Sequence, residues 1–498
     1  MELLSFQSFL FLFLLFLYLY KFHFKNPLNN KKGFKRYPFL GVLPDFLKNR
    51  HRFLEWSTQV LRDTPTGTAV FSRPFNVRGV ITANPDNVEH MLKTKFQNYP
   101  KGQRFINLLQ DFLGRGIFNS DGELWKVQRK TASHEFNTKS LRNFVMDNVT
   151  VEIQTRLIPI LSDASDTNRV LDLQDLLERF AFDNVCKLAF NFDPACLGDD
   201  STAGADFMRA FENAAMLSSG RFLSVSQSAW KLKRLFNIGT ERKLRESISA
   251  VHKFADSIIR SRLNSISSSR DEDLLSRFIH TEDASPEFLR DIVISFILAG
   301  RDTTSSALSW FFWILSSRPE VRRKIHEEIE TVKLSKRVEV FGYEEMKELH
   351  YVQGAISETM RLYPPVPVDT KQCADDDVLP DGTKIGKGWF MTYHTYAMGR
   401  MESVWGEDCG EFKPERWLEN GVYRAETPFR YPVFHAGPRM CLGKEMAYIQ
   451  MKSIVVSVME RFEIEALDKD KCLQPLLSLT LRIKGGLPVR VRVRVRFS

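Results

Sequence analysis

One ten-residue segment, 434–443 (FHAGPRMCLG), constrains this chain more than any other. It places Cys441 behind a loop rich in glycine and proline, and a helix-like segment follows directly. A thiolate at the start of a helix is stabilised by the helix dipole and by free backbone N–H groups. Gly437 and Gly443 let the backbone pass close to a flat group, and Arg439 is able to pair with an anion. A buried structural cysteine beside a turn is the alternative, which suits a lone cysteine better than this complete pattern.

The pattern FxxGxRxCxG resembles the haem-binding loop of the cytochrome P450 superfamily, the haem-thiolate monooxygenases. The resemblance implies that Cys441 is the axial ligand of the haem iron. It also implies that Phe434, Arg439 and Gly443 belong to the loop that holds the cofactor. The cofactor would be haem b, with O2 and NADPH-derived electrons as co-substrates. Thiolate ligation favours cleavage of the O–O bond.

Glu358 and Arg361 form an ExxR pair, whose spacing places both side chains on one helical face. Such a pair is common on protein surfaces. The resemblance instead assigns it, together with Arg416 of the segment FKPERW, to a buried structural network. Removing one member of such a network costs roughly 3–5 kcal/mol, because it leaves a buried charge unpaired.

The segment 299–304 (AGRDTT) lies within 286–317, which is apolar on nearly every side and predicts a helix inside the domain. We expect Gly300 to open a groove beside the cofactor. An acid followed by an alcohol offers protons a route into a dry site. The resemblance makes Thr303 the residue that passes protons to dioxygen through water, with Asp302 supplying them. Alternatively, these alcohols only bond back to the preceding helical turn.

Two further segments match the superfamily. In WKVQR, Trp125 and Arg129 share a helical face, and both are able to donate hydrogen bonds to a haem propionate. The segment 364–371 (PPVPVDTK) lines the substrate pocket in the family. Its Lys371 stands where many relatives have a propionate-binding basic residue.

The resemblance covers nearly the whole chain and implies the cytochrome P450 fold, mainly α with a smaller β region, in one large haem domain over 45–498. Periodicity predicts the helices and strands of this domain. The predicted helices cover 139–162, 170–190, 205–218, 240–264, 286–317, 319–332 and 344–362. A strand pair is predicted within 71–82 and an exposed polar loop at 265–270. The alternating tail VRVRVRVRF predicts an edge strand, with a disordered basic tail as the alternative.

The first residues predict a membrane anchor. Residues 3–20 carry no charge, and about 20 such residues cross a bilayer. We therefore expect a transmembrane signal anchor at 1–20 and a basic, proline-rich linker at 21–44. The positive-inside rule then places the catalytic domain in the cytosol, in a single-pass protein of the endoplasmic reticulum membrane. A cleaved secretory signal is the alternative.

Charge and cysteine usage exclude other classes. The chain has 70 basic and 61 acidic residues, and its basic excess lies in 21–36 and in the tail. A spread nucleic-acid-binding face is therefore not expected. The six cysteines contain no CxxC pair, which argues against a disulfide framework and a zinc module.

Longer stretches, among them NYPKGQRF and ETMRLYPPVPVDTK, resemble plant fatty-acid ω-hydroxylases, in the branch that also holds jasmonoyl–amino acid hydroxylases. The resemblance implies hydroxylation of the terminal carbon of fatty acids. ω- (12-)hydroxylation of jasmonoyl-isoleucine in hormone catabolism is an alternative. A different class, the haem-thiolate hydroperoxide isomerases and dehydratases, alters the acid–alcohol pair that is intact here. Ala299 stands where animal ω-hydroxylases often have an acid that links to haem, so we expect no covalent link.

Either hydroxylase substrate is an amphipathic carboxylate, for which Arg73, Arg78 and Arg104 are candidate cations; ordinary solvated charges are the alternative. No flavin or nicotinamide motif is visible, and the resemblance implies membrane-bound NADPH–cytochrome P450 reductase as the electron donor. Three lysines flank the proposed haem contacts and are able to attract an acidic partner; ordinary surface lysines are the alternative. These are Lys126, Lys130 and Lys444.

Overall fold

The computed structural model describes residues 33–74, 77–136, 139–198, 202–224, 227–265, 273–281, 284–469 and 473–494. Most of this part of the chain is helical, as the sequence predicts. The α-helices are α1 (Leu43–Asn49), α2 (Phe53–Arg62), α3 (Pro85–Glu89), α4 (Gln103–Leu113), α5 (Gly122–Phe136), α6 (Lys139–Glu152), α7 (Ile158–Asp166), α8 (Leu173–Phe190), α9 (Thr202–Gly220), α10 (Gln227–Leu235), α11 (Gly239–Ser265), α12 (Leu274–Ile279), α13 (Pro286–Ile297), α14 (Thr303–Ser316), α15 (Pro319–Lys336), α16 (Tyr343–Lys347), α17 (His350–Leu362), α18 (Thr395–Met398), α19 (Glu402–Trp405) and α20 (Lys444–Arg461).

The β region is small and is built from short strands. They are β1 (Thr68–Arg73), β2 (Val77–Thr82), β3 (Leu171–Asp172), β4 (Asp369–Gln372), β5 (Asp377–Val378), β6 (Lys384–Ile385), β7 (Phe390–Tyr393), β8 (Leu418–Glu419), β9 (Val422–Tyr423), β10 (Phe462–Ala466), β11 (Pro475–Leu477), β12 (Leu481–Ile483) and β13 (Pro488–Val493). One sheet has the order β1-β2-β7-β4, in which β2 and β7 are parallel and the other neighbours antiparallel. A second sheet has the order β10-β13-β3, and β5/β6, β8/β9 and β11/β12 form pairs.

Helices α13 and α14 form one long central helix, since the π-helical turn Leu298–Asp302 joins them. The helix begins where Ser285 accepts a hydrogen bond from the backbone N–H of Phe288 at 3.2 Å. A serine cap followed by proline is a typical helix start. Ile292 and Trp310 are fully buried, so this helix lies inside the molecule, as predicted.

Three apolar clusters make up the core. The largest joins α14, α17 and α20, the second joins α8, α9, α11 and α13, and the third lies on the four-stranded sheet. Met360, Phe296 and Ile81, one from each cluster, line the cavity described below. The cavity is thus enclosed by all three parts of the core.

Most predicted elements are confirmed. The helices predicted at 139–162, 170–190, 205–218, 240–264, 286–317 and 319–332 are present within a few residues, and the strand pair within 71–82 is β1 and β2. The single helix predicted at 344–362 is wrong, because the chain forms α16 and then α17. Glu328 of α15 explains the break, since its carboxylate accepts the N–H groups of Tyr351 and Val352 at 2.6 and 2.8 Å and caps a new helix.

The tail differs in part from its prediction. It forms strand β13, but β13 lies between β10 and β3 at Pro488 and Val489 rather than at the edge. Val489 and Val491 are buried while Arg490 and Arg492 point outward, which explains the alternation. Residues 495–498 and the predicted loop residues 266–270 lie outside the described residues.

The predicted anchor, 1–20, and residues 21–32 of the predicted linker also lie outside the described residues. Within the described ranges, no helix has both the length and the apolar character needed to span a bilayer.

Candidate functional site

A cavity of about 600 Å³ brings most of the predicted site residues together. This size lies within the range of small-molecule sites. Its lining is largely apolar, with side chains from the central helix, α4, α8, β1 and the 434–443 loop. The predicted residues among the lining are Trp125, Arg129, Gly300, Thr303, Phe434, Arg439, Cys441 and Gly443. Asp302 is absent from this set.

Cys441 lies in a tightly folded loop. Its backbone N–H donates to the carbonyl oxygen of Phe434 at 2.8 Å, and Gly443 directly precedes α20. Gly437 has φ +63°, and a Cβ there would lie 2.0 Å from the carbonyl oxygen of Leu92. Only glycine therefore lets the loop close against that neighbouring backbone.

Cys441 is the one exposed thiol among the five cysteines of the described residues, and its surface lines the cavity. Enclosure in the protein raises the pKa of this thiol. The backbone N–H of Gly443 and the charges of Arg129 and Lys444 lower it, but their combined effect is smaller. Without a metal the group would therefore be mainly a thiol at neutral pH. A coordinated metal ion deprotonates such a thiol outright.

Two arginines line the cavity together with this thiol. Arg439 donates to a carboxylate oxygen of Asp121 at 2.6 Å and packs over the ring of Trp125, 4.3 Å from its centroid. Burial lowers the pKa of Arg129, which faces Cys441 and has no ion-pair partner in the described part of the chain. The pair of arginines thus carries more positive charge than Asp121 balances.

A second charged cluster was not predicted as a unit. Asp369 of β4 accepts from Lys101 and Lys371, each at 2.8 Å, and His435 lies 3.4 Å from it. These contacts hold the pKa of Asp369 well below its usual range although burial opposes this. Burial, aided by Lys371, lowers the pKa of His435 to about 4, so the imidazole is neutral. Lys371 is therefore paired with Asp369, and its role at a haem propionate stays a prediction.

These residues fit a haem. The cavity wall supplies apolar surface for a flat ring, and the exposed thiol of Cys441 is able to serve as the iron ligand. The excess positive charge of Arg129 and Arg439 suits the propionates, and the Nε atom of Arg439 has no hydrogen-bond partner among the described residues. Phe434, at the start of the loop, packs on α20, with its ring centroid 5.3 Å from that of Tyr448.

Gly300 lines the cavity, but the structure gives another reason for glycine than the predicted groove. A Cβ there would lie 2.5 Å from Cγ2 of Val185 and 2.8 Å from its Cβ. The missing side chain therefore lets the central helix pack against α8.

Thr303 and Asp302 point in different directions. The hydroxyl of Thr303 lines the cavity and donates to the carbonyl oxygen of Ala299 at 2.6 Å, the back-bond that the sequence left open. The carboxylate of Asp302 instead accepts from Arg301 at 2.7 Å and is buried. Burial, partly offset by Arg301, raises the pKa of Asp302. The acid–alcohol pair thus does not form a direct contact.

Behind Asp302 lies an ionic cluster that sequence analysis missed. Glu178 of α8 accepts from Arg301 at 2.8 Å and from Arg482 at 2.6 Å. Arg482 also pairs with Glu212, whose side chain is 37% exposed. Burial raises the pKa of Glu178 to about 7 against the two guanidiniums. No local sequence signal joins these residues, because they come from four distant segments.

The ExxR residues, Glu358 and Arg361, are fully buried and lie outside the cavity. Arg361 binds both oxygens of Glu358, at 2.7 and 2.8 Å. Glu358 also accepts from Trp417 and from the backbone of Lys413, each at 2.9 Å. Arg416 approaches it at 3.5 Å. The structure therefore brings the three predicted network residues together.

Comparisons with known proteins agree with this geometry. The sequence model of the family described as cytochrome P450 matches residues 32–487. Cytochrome P450 CYP94D108 of Paris polyphylla is 55% identical over 91% of this chain and 90% of its own length. Cytochrome P450 94A1 of Vicia sativa is 47% identical over 92% and 90%. Cytochrome P450 94B1 of Arabidopsis thaliana is 47% identical over 92% and 91%.

The match spans the cavity, the cysteine loop and the buried network. The cofactor of this family is haem b, and the co-substrates are O2 and electrons derived from NADPH. This chain belongs to the cytochrome P450 family and is a haem-thiolate monooxygenase.

Proposed function

We propose that the protein hydroxylates the terminal carbon of fatty acids. The observation that carries the proposal is the apolar cavity of about 600 Å³ into which the thiol of Cys441 opens. Burying ten methylene groups contributes roughly 8 kcal/mol, enough for micromolar binding after the costs of association. The resemblance to plant ω-hydroxylases points to the same substrate class.

Bound haem supplies the activation of dioxygen, which thiolate ligation by Cys441 favours. The chain itself must orient the substrate, exclude water and deliver protons. We assign proton transfer inside the cavity to Thr303. Its hydroxyl already donates to Ala299 but keeps two lone pairs, so it is able to accept from an entering water while exchanging its own proton.

Asp302 supplies the protons in this proposal. Because Arg301 holds its carboxylate away from the cavity, transfer to Thr303 requires a bridging water or a rotation of the Asp302 side chain. The pKa of Glu178, raised to about 7 by burial, suits a group that exchanges protons near neutral pH. Glu178, Arg482 and the partly exposed Glu212 connect Asp302 to the surface.

The substrate assignment is tested with the full-length protein in membranes, together with NADPH–cytochrome P450 reductase. Laurate, oleate and jasmonoyl-isoleucine are offered in parallel, with and without NADPH. The proposal predicts NADPH-dependent ω-hydroxy fatty acids as the main products. Dominant 12-hydroxy-jasmonoyl-isoleucine would move the function to hormone catabolism. A lipid hydroperoxide is offered in a separate reaction without NADPH, and its conversion would indicate an isomerase or dehydratase.

We propose the reductase as the electron-donating partner and α5 with the start of α20 as its docking face. Lys126, Lys130 and Lys444 are exposed there, close to the haem-contact residues Trp125 and Arg129. Charge reversal at Lys130 and Lys444 should slow reductase-supported turnover most at low ionic strength. An unchanged rate across ionic strengths would remove this assignment.

We also propose that residues 1–20 anchor the protein in the endoplasmic reticulum membrane, that 21–44 form the linker and that 45–498 form the cytosolic haem domain. Large exposed apolar side chains support contact with a membrane, since Phe39 of the linker is 86% exposed and Leu235 and Phe236 of the domain are 75% and 67% exposed. Lys231 and Lys233 of α10 lie beside two of them and suit an anionic lipid surface. Deletion of residues 1–20 should weaken membrane recovery, which flotation with lipid vesicles measures.

A further inference from the structure

Arg73 stands at the end of β1 and lines the same cavity as Cys441. Its guanidinium lies 4.7 Å from the centroid of the Phe46 ring. One Nη atom reaches the carbonyl oxygen of Ser224 only at 3.4 Å, and the buried Nε has no partner among the described residues. A buried donor without a partner destabilises the folded protein, unless a ligand accepts a hydrogen bond from it.

The charges around Arg73 strengthen this point. Burial, followed by repulsion from Arg104, lowers its pKa to about 10, so the group stays charged at neutral pH. Arg104 packs over the ring of Phe390, 5.0 Å from its centroid. Within the described ranges, no carboxylate lies at ion-pair distance from either arginine. Arg73 therefore lines this part of the cavity, with Arg104 near it, and neither has an anionic partner among the described residues.

The other cations of the cavity lining are accounted for. Lys101 and Lys371 share Asp369, Arg439 pairs with Asp121, and Arg129 faces Cys441. Arg221 binds Asp111 at 2.7 Å and Glu241 at 2.5 Å. Arg129 lies beside the thiol and suits a haem propionate, which leaves Arg73 as the cation of this lining with neither a carboxylate partner among the described residues nor an assigned anion.

We propose that Arg73, with Arg104 beside it, binds the carboxylate of the substrate and so determines which end of the molecule approaches Cys441. The inference rests on the proposed function, because it requires a substrate with a carboxylate at one end. The guanidinium presents a planar fork of donors that matches two carboxylate oxygens.

The position of Arg73 suits this role. Its contacts are Phe46 and Ser224, whereas Cys441 contacts Phe434 and lies near Arg129. The carboxylate and the reacting carbon would therefore occupy different parts of one cavity. Apolar side chains, among them Phe71, Phe105, Leu109 and Phe222, line it and are able to enclose the chain of the substrate.

The test is equilibrium binding to the purified holoenzyme, followed by the change in haem absorbance. Laurate, methyl laurate and jasmonoyl-isoleucine are titrated into wild type, Arg73→Gln, Arg73→Lys and Arg78→Gln. Arg78 is the matched control, because it lies opposite Ser72 on β2 but is exposed. Arg73→Gln should raise the Kd for laurate roughly 10- to 100-fold, the effect of a lost charge-assisted hydrogen bond. The Kd of Arg73→Gln for methyl laurate should equal that of wild type. For laurate, the Kd of Arg73→Lys should lie between those of wild type and Arg73→Gln, and the Kd of Arg78→Gln should equal that of wild type.

The outcomes separate the two claims. Wild type that binds laurate and methyl laurate equally, or Arg73→Gln that binds laurate as wild type does, would refute the role of Arg73 and leave the proposed function standing. Wild type that binds jasmonoyl-isoleucine alone, with the affinity lost in Arg73→Gln, would support the role of Arg73 and refute the fatty-acid assignment. Because the laurate–ester comparison uses wild type, misfolding of a variant does not remove the test.

Discussion

Replacing Arg361 with alanine should remove the largest single contribution to the buried ExxR network. Arg361 and Glu358 are both 0% exposed, and three backbone carbonyls, of Gly399, Cys409 and Glu411, also accept from the same guanidinium. Breaking a buried ion pair costs about 3–5 kcal/mol, and each stranded carbonyl adds about 1 kcal/mol. We therefore expect a loss of about 6–8 kcal/mol, comparable to the whole stability of many proteins, about 5–15 kcal/mol.

The assay is urea unfolding of the purified holoenzyme, together with the fraction of protein that shows a haem-thiolate spectrum. Lys347→Ala is the matched control, because Lys347 and Glu344 have the same i, i+3 spacing but are 51% and 73% exposed. An exposed pair contributes about 0–1 kcal/mol, so this variant should resemble wild type. Arg361→Lys keeps the charge but loses the planar guanidinium that binds both oxygens of Glu358. Its stability should therefore lie between those of wild type and Arg361→Ala. Arg361→Ala with full haem content and a stability within about 1 kcal/mol of wild type would refute the reasoning.

Three further predictions follow from the central helix and from a buried histidine. Thr303→Ala should keep its haem but release more hydrogen peroxide per NADPH consumed. The control is Ser305→Ala, which loses the same kind of back-bond, 2.7 Å to the carbonyl oxygen of Arg301, but outside the cavity, and should release no more peroxide than wild type. Equal peroxide release by both variants would contradict the role of Thr303. Gly300→Ala should lower the stability by about 1–3 kcal/mol through the clash with Val185. Combining it with Val185→Ala should recover part of this loss. Melting temperatures test this, and a double variant that melts no higher than Gly300→Ala would contradict the clash. Burial lowers the pKa of His394 from 6.5 to about 3. Between these two pH values the histidine is protonated in the unfolded chain but not in the folded protein, so the free energy of unfolding falls as the pH drops. At pH 5 the loss is about 2 kcal/mol. His394→Asn keeps an acceptor for the N–H of Ala397 and should show a smaller drop in melting temperature between pH 7 and pH 5; an equal drop would assign the acid sensitivity to other groups.

The local motifs predicted the site because each one fixes its own geometry. The loop 434–443 fixes the place of Cys441, and helical spacing pairs Glu358 with Arg361. The long apolar helix followed from the same kind of local information. Its π-helical turn at Leu298–Asp302 did not, since nothing in the periodicity marks it.

Long-range packing decides the features that the sequence left open. Asp302 turns away from the cavity because Arg301 holds it, and Arg301 is itself held by Glu178 of a different helix. Lys371 is balanced by Asp369, two residues away on the same strand, once β4 places both beside Lys101. Such partners are separated by up to hundreds of residues, so only the fold reveals which charge each side chain meets.

The helix break after α16 has the same origin. The pattern over 344–362 suits one helix, but the carboxylate of Glu328 caps the N–H groups of Tyr351 and Val352 from a neighbouring element. A side chain outside the segment thus sets where α17 begins.

The central claim is that this haem-thiolate enzyme inserts an oxygen atom from O2 at the terminal carbon of a fatty acid. The most direct measurement is mass spectrometry of the product formed from laurate under ¹⁸O₂ by the full-length protein with NADPH and reductase. The account predicts ω-hydroxylaurate as the main product, with one ¹⁸O atom in the new hydroxyl group and no product without NADPH. Unlabelled product, or hydroxylation spread along the chain without preference for the terminal carbon, would contradict it.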